Sequence, residues 1–143
     1  MKCCNSMGLL LARIMLALIF VWAGVGKFLA WDSSAAYMAS KGMTAIPLFL
    51  GAAALIELLG GIALILGFKT RVAAFILFLF LIPVSFIFHD FWNLVDDKER
   101  VEQLIHFLSN IAIMGGLLAL ITVGPGSWAI DKKYCHPDED CCK

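Results

Sequence analysis

The chain has 143 residues, of which 62% are hydrophobic and 15% charged, and its charges sum to zero. Soluble domains are about half apolar and about a quarter charged, so this composition predicts a membrane protein. Zero net charge provides no basic surface for nucleic acid, and no glycine-rich nucleotide loop, HExxH, GxSxG or CxxC motif is present.

Four apolar segments follow one another along the chain, at residues 7–30, 46–66, 72–89 and 104–123. Each approaches the roughly 20 residues that a helix needs to cross a hydrocarbon core of about 30 Å. Because helices satisfy their own backbone hydrogen bonds, four spans should be four helices. The sequence therefore predicts an all-α fold: a four-helix transmembrane bundle with antiparallel up-down topology, in a single domain over 1–143. A short polar tail follows at 131–143.

The first segment is predicted to be a retained helix and not a signal peptide. Only Lys2 precedes its apolar run as a basic residue, Arg13 lies inside the run, and no convincing small-residue cleavage site occurs before Trp31.

This first helix also carries a polar stripe. Its members recur at steps of four, three, four and three, which places them on one helix face: Arg13, Ala17, Phe20, Gly24 and Lys27. Small residues allow neighbouring backbones to approach closely, so we expect this face to look into the bundle.

The second helix repeats this pattern with Ala53, Glu57 and Gly61. Glu57 lies near the middle of its span, where a carboxylate must be paired, protonated or in contact with a wet cavity. Arg13, placed about one helical turn from the depth of Glu57, is its expected partner. The alternative to a functional role is an ion pair that only fixes packing.

The third helix ends in FHDFW (88–92), in which His89 and Asp90 lie between aromatic rings. Aromatic residues at a helix exit are typical of the membrane interface, and His89 could be an ordinary interfacial histidine. Pro83 is expected to bend this helix, because it frees the carbonyl group of Leu79.

The fourth helix places Glu102, His106 and Asn110 on one face at steps of four, next to His89. Two histidines and a carboxylate can bind a divalent metal. The same spacing also fits a solvated first turn, with Asp96 or Asp97 as its cap.

Basic residues predict the orientation. In four spans both termini share one side with the link between the second and third helices, and this side has seven Lys and Arg against four on the other. The positive-inside rule then places both termini in the cytoplasm and the chain in the inner membrane.

The five cysteines all lie near the chain ends: Cys3, Cys4, Cys135, Cys141 and Cys142. A reducing compartment disfavours structural disulfides there. Together with His136, these thiols are candidates for binding zinc or copper(I), or for exchange with a thiol partner. The alternative is a tail without such chemistry.

Several motifs occur in an order and at spacings typical of one family. They are Arg13 with AGVGKF (23–28), AAYMASKGM (35–43), LIELLGGIALILGFKTR (55–71), FIFHDFW (86–92), LSNIAIMGGLL (108–118) and GPGSWAID (124–131). In these motifs nearly the whole chain resembles the DoxX family of small bacterial membrane proteins. The family is similar to the small subunit of thiosulfate:quinone oxidoreductase, and some members associate with thiol-handling or superoxide-detoxifying enzymes.

The resemblance implies an integral inner-membrane subunit or partner of a quinone-linked or thiol and oxidative-stress redox complex. The family's polar positions match Arg13, Lys27, Glu57, His89 and Asn110. It assigns no role to MKCC (1–4) or CHPDEDCCK (135–143).

Two classes of function are left open by the residues. In a quinone-binding subunit, Lys27, His89 and Asn110 would donate hydrogen bonds near the outer leaflet and Glu57 would relay protons. In a non-catalytic scaffold that docks a soluble redox enzyme, the polar core would serve packing alone. A transporter is a third interpretation, and a homo-oligomer is a further candidate assembly. Haem is disfavoured, because both histidines of the spans lie at the membrane edge and CxxCH is absent.

Overall fold

The computed structural model describes residues 2–126 and 128–131, and the side chains within them from residue 7 onward. In this part of the chain five α-helices form: α1 (Lys2–Leu29), α2 (Trp31–Ser40), α3 (Ile46–Leu66), α4 (Thr70–Phe88) and α5 (Asp97–Val123). All of these except α2 are long and apolar enough to cross a membrane. The predicted all-α transmembrane bundle is therefore confirmed.

The helix boundaries follow the predicted spans except at two starts, and α1 begins five residues before the predicted 7. The span predicted at 46–66 is α3 to the residue, whereas α5 begins seven residues before the predicted 104. Asp96 caps α5, because its side chain accepts hydrogen bonds from the backbone amides of Lys98 and Glu99 at 2.9 and 3.1 Å. The first turns of α5 are polar, so hydropathy alone missed them, although the predicted cap at Asp96 is confirmed.

Helix α2 was not predicted. It has ten residues, too few to cross a membrane, and only its Met38 is buried. After α2 the chain turns at Gly42 with φ +73° and enters α3 through Ala45 with φ +53°. Positive φ at alanine is unusual, because the Cβ atom crowds the backbone there.

Helices α1 and α3 pack with their backbones in contact. A Cβ atom at Gly24 would lie 2.9 Å from the backbone nitrogen of Leu58, and one at Gly61 would lie 2.8 Å from Cγ2 of Val21. The contacts move toward the end of α3 as they move toward the start of α1, so the two helices run in opposite directions. This direction fits the predicted up-down arrangement. The stripe on α1 faces inward as predicted, since Arg13 and Ala17 are both fully buried.

The end of the bundle that carries residues 124–131 is held by two side chains. The Arg13 guanidinium donates to the carbonyl oxygens of Pro125 and Trp128, at 2.8 and 2.5 Å. The Asp131 carboxylate accepts from the backbone amides of Lys69 and Thr70, at 2.6 and 2.9 Å, at the start of α4. These bonds satisfy amide groups that α4 itself leaves unpaired, so we call this region the clamped end.

We expect Gly24→Ala to lower the free energy of unfolding by roughly 1–3 kcal/mol, because the added methyl group would force α1 and α3 apart. The matched control is Gly26→Ala on the same helix, where a Cβ atom would meet no described atom within 4 Å. The control should be neutral or slightly stabilising, since alanine favours a helix over glycine. Unfolding by SDS in mixed micelles measures both variants, and equal losses would contradict this account of the packing.

Candidate functional site

A cavity of about 530 Å³ lies at the α2 end of the bundle, opposite the clamped end. Residues of α1, α2, α3 and α4 line it, and most of its wall is apolar, with Ile56, Phe80 and Val84 among the lining side chains. Its polar groups include Lys27, Glu57 and His89, together with two on α2, Ser34 and Tyr37. An apolar pocket with a few convergent polar groups is the usual form of a small-molecule site.

Lys27 and Glu57 form an ion pair in the cavity wall. Nζ of Lys27 donates to Oε2 of Glu57 at 2.6 Å, and the two side chains are 28% and 7% exposed. Lys27 comes from the last turn of α1 and Glu57 from the middle of α3. The contact at Gly24, about one turn away, brings the two helices close enough for the pair to form.

The predicted partnership between Arg13 and Glu57 is wrong. Arg13 lies across from Gly67, where a Cβ atom would overlap its guanidinium group. Gly67 is ten residues beyond Glu57, so Arg13 lies about 15 Å further than Glu57 toward the clamped end of the bundle. The prediction placed the register of the two helices incorrectly, because the tight α1–α3 contact brings Lys27, rather than Arg13, to Glu57.

His89 follows the last residue of α4 and reaches α5. Its Nδ1 lies 2.8 Å from Oε1 of Gln103, and its ring stacks on that of His106 with centroids 5.4 Å apart. Because an amide oxygen can only accept, Nδ1 donates in this arrangement. The bond orients the ring and leaves Nε2 for contact with a ligand.

Asn110 lies at the contact between α4 and α5 and is not among the described residues that line the cavity. Its Nδ2 donates to Oγ of Ser85 at 3.1 Å, and this hydroxyl donates to the carbonyl oxygen of Leu81 at 2.7 Å. This chain of bonds ties α5 to α4. Of the five predicted polar positions, the cavity therefore brings together Lys27, Glu57 and His89.

The metal candidates are only partly described by the structure. Glu102 and His106 lie on the exposed side of α5, and His106 contacts His89. Within the described ranges, no group of three or more His, Cys, Asp or Glu side chains is placed to hold a metal ion. Four further candidates lie outside the described residues, so their metal binding stays a prediction: Cys135, His136, Cys141 and Cys142.

Sequence reasoning missed the contacts that join α2 to the end of α4. Lys41 pairs with Asp90, Nζ to Oδ1 at 2.5 Å, and Tyr37 donates to the carbonyl oxygen of Phe88 at 3.0 Å. Tyr37 and Lys41 are four residues apart, a spacing that puts both on one face of a helix and could have signalled the contact. The signal was missed because α2 itself was not predicted.

The aromatic residues around FHDFW pack on one another at the outer surface of α4 and α5. Phe91 contacts Trp92 and Phe107 with ring centroids 5.0 and 5.5 Å apart, and Phe86 lies 5.7 Å from Phe107. Phe86 and Trp92 remain 57% and 49% exposed, as expected for rings at a membrane interface.

Comparison with known proteins identifies one family profile and several relatives of similar length. The sequence profile of the DoxX family matches residues 8–90. The chain is 35% identical to "Inner membrane protein YqjF" of Escherichia coli (strain K12) over 92% of its own length and 95% of the relative. It is 33% identical to "Inner membrane protein YphA" of the same organism, over 87% of this chain and 89% of the relative. No solved structure is significantly similar to the chain.

We expect Lys27→Met to lower the free energy of unfolding by about 3–5 kcal/mol, because it leaves the buried Glu57 carboxylate without a partner. The double variant Lys27→Met/Glu57→Leu should regain most of that loss, since no uncompensated charge remains. As the matched control, Arg13→Met combined with Glu57→Leu should be additive within about 0.5 kcal/mol. Strong coupling of Glu57 to Arg13 in the SDS titration, with none to Lys27, would contradict the pairing.

Proposed function

The chain belongs to the DoxX family, and from this and the geometry of its cavity we propose that it binds a quinone as the membrane subunit or partner of a redox complex. The observation that carries the proposal is the apolar cavity inside the membrane-spanning bundle, which contains the Lys27–Glu57 ion pair and His89. We further propose the inner membrane as its location, in keeping with its two E. coli relatives, both called inner membrane proteins.

The cavity has the size and the donors that a quinone head group requires. Its volume of about 530 Å³ lies in the range of roughly 300–1,000 Å³ common for small-molecule sites. Within the described part of the chain, Glu57 uses one of the three N–H groups of Lys27, which leaves two for a carbonyl oxygen. His89 offers a second polar group on the α4 side of the cavity. The apolar walls suit a ring and an isoprenoid tail.

The residues of the site would divide the work. A bound quinone supplies two-electron, two-proton redox chemistry, with electrons delivered by a partner enzyme. Lys27 would donate to a carbonyl oxygen and stabilise negative charge that develops there. Glu57 holds Lys27 in place and is the group in the wall that can accept and return a proton. His89, whose Nδ1 donates to Gln103, would accept at Nε2 a hydrogen bond from a hydroxyl group of the reduced head group.

The partner enzyme in this proposal is a soluble redox or thiol-handling protein. Two observations favour the alternative of a non-catalytic scaffold that docks such an enzyme. The side chains of Arg13 and Asn110, both at family polar positions, are engaged with the protein's own groups. A scaffold would need these bonds for packing and would not need ligand binding in the cavity.

We expect the purified protein in mild detergent to bind decylubiquinone saturably. Ala53→Leu, which adds bulk to the cavity wall, should weaken binding by about fivefold to 150-fold, because overpacking costs roughly 1–3 kcal/mol. The matched control is Ala112→Leu on the exposed side of α5, which should leave the affinity unchanged. Equilibrium dialysis with the labelled compound measures all three proteins.

The double variant Lys27→Met/Glu57→Leu separates the two functions. Loss of a charge-assisted hydrogen bond should weaken decylubiquinone binding by roughly tenfold or more while the protein stays folded. Absence of saturable binding by the wild type, or equal affinity of the wild type and both cavity variants, would leave the scaffold as the better account.

A further inference from the structure

The short helix α2 covers the cavity where the bundle meets water. It contributes Ser34, Tyr37 and Met38 to the lining, and the link after it contributes Met43. Met38 is only 6% exposed, so its side chain fills space beneath α2. A ten-residue helix is too short to span the membrane, and the residues that it contributes to the lining place it against one end of the cavity.

Two bonds hold α2 to the end of α4 across the cavity. The first is the ion pair of Lys41 with Asp90, whose side chains are 19% and 20% exposed. The second is the hydrogen bond from the Tyr37 hydroxyl to the carbonyl oxygen of Phe88, one of the carbonyls that the last turn of a helix leaves unpaired. The rings of Tyr37 and Phe88 also lie 5.8 Å apart. We call these two bonds the latch.

The chain beyond α2 has the features of a hinge. Gly42 has φ +73°, and Ala45, which precedes α3, has φ +53°. An alanine in the left-handed region is strained by a cost of order 1 kcal/mol or more. The amides of Gly42 and Met43 bond to carbonyl oxygens of α2, so the start of the link belongs with that helix. A swing of α2 would therefore turn at Ala45 and at Ala30, the residue that joins α2 to α1.

The cavity also reaches the lipid-facing side of the bundle. Phe49 on α3 and Ile87 on α4 both line it, and both are exposed, at 50% and 41%. Pro83, about one turn before Ile87 on α4, is also exposed and lines the cavity. Exposed side chains of α3 and α4 thus border the cavity near the α2 end of the bundle, from the first turn of α3 to Pro83, more than one turn inside α4.

We propose that α2 is a lid that seals the cavity from water through the Lys41–Asp90 and Tyr37–Phe88 latch, so that ligand enters from the bilayer between α3 and α4. The ligand class is then a lipid-soluble molecule. The identity of that ligand rests on the proposed function, whereas the lid itself does not. A water-soluble substrate would instead need the latch to open at each binding event.

Thiol accessibility tests the lid without any ligand. Ala53→Cys is introduced into a variant with all five native cysteines replaced by serine and is reconstituted in lipid nanodiscs, where water reaches both faces. A charged, membrane-impermeant maleimide should label this thiol slowly, whereas a lipophilic maleimide should label it readily. Labelling by the charged reagent then follows the population of open lid.

Breaking the latch should speed only the aqueous route. Asp90→Asn, or Tyr37→Phe, should raise the rate with the charged reagent by about twofold to fivefold, as expected for a partly exposed pair. The charge swap Lys41→Asp/Asp90→Lys should restore slow labelling. The matched control is Ser33→Cys on the exposed side of α2, which should react at one rate in every background.

Fast labelling of Ala53→Cys by the charged reagent with the latch intact would overturn the lid. So would equal rates in the wild-type, Asp90→Asn and Tyr37→Phe backgrounds. If the lid behaves as proposed and decylubiquinone does not bind, the proposed function fails and the lid stands. If decylubiquinone binds and breaking the latch does not change the labelling rate, the lid fails and the proposed function stands.

Discussion

The backbone contact between α1 and α3 is the constraint on which the rest of the structure depends. Glycines at 24 and 61 let the two helices approach until a single added methyl group would collide with the opposite helix. In lipid no hydrophobic force drives helices together, so close packing and polar contacts must supply the association. The same approach sets the register that joins Lys27 to Glu57 in the wall of the cavity. One contact thus determines the pairing of the helices and the polar wall of the cavity.

The two ends of the bundle are built differently. At the clamped end, Arg13 and Asp131 bind backbone groups from two separate segments, and breaking the bonds of the fully buried Arg13 would leave its charge unpaired. At the other end the contacts of α2 with α4 are few and partly exposed, and its link to α3 includes residues with positive φ. Low local stability is expected where a protein must admit a ligand. A well-bonded clamped end and a weakly held α2 at the opposite end fit the proposed binding of a molecule near one membrane face.

Much of this architecture was predictable from the sequence, because the hydrocarbon core imposes length and hydropathy on each span. The inward stripe on α1, the span at 46–66 and the cap at Asp96 followed from spacing and residue type. The partner of Glu57 did not, because side-chain periodicity gives a face and not the register between two helices. Helix α2 and the cavity beneath it also escaped prediction. A short, mixed-polarity segment has no strong hydropathy signal, and a cavity depends on how far helices separate.

The most direct test of the central claim, that the cavity beside Lys27 and Glu57 binds a quinone, is photo-crosslinking with a photoreactive quinone in native-like membranes. The modified peptides are identified by mass spectrometry. We expect modification concentrated in the segments of α3 and α4 that line the cavity, around residues 49–57 and 80–89, and suppressed by excess decylubiquinone. Modification spread over the exposed side of α5, or unaffected by the competitor, would contradict it.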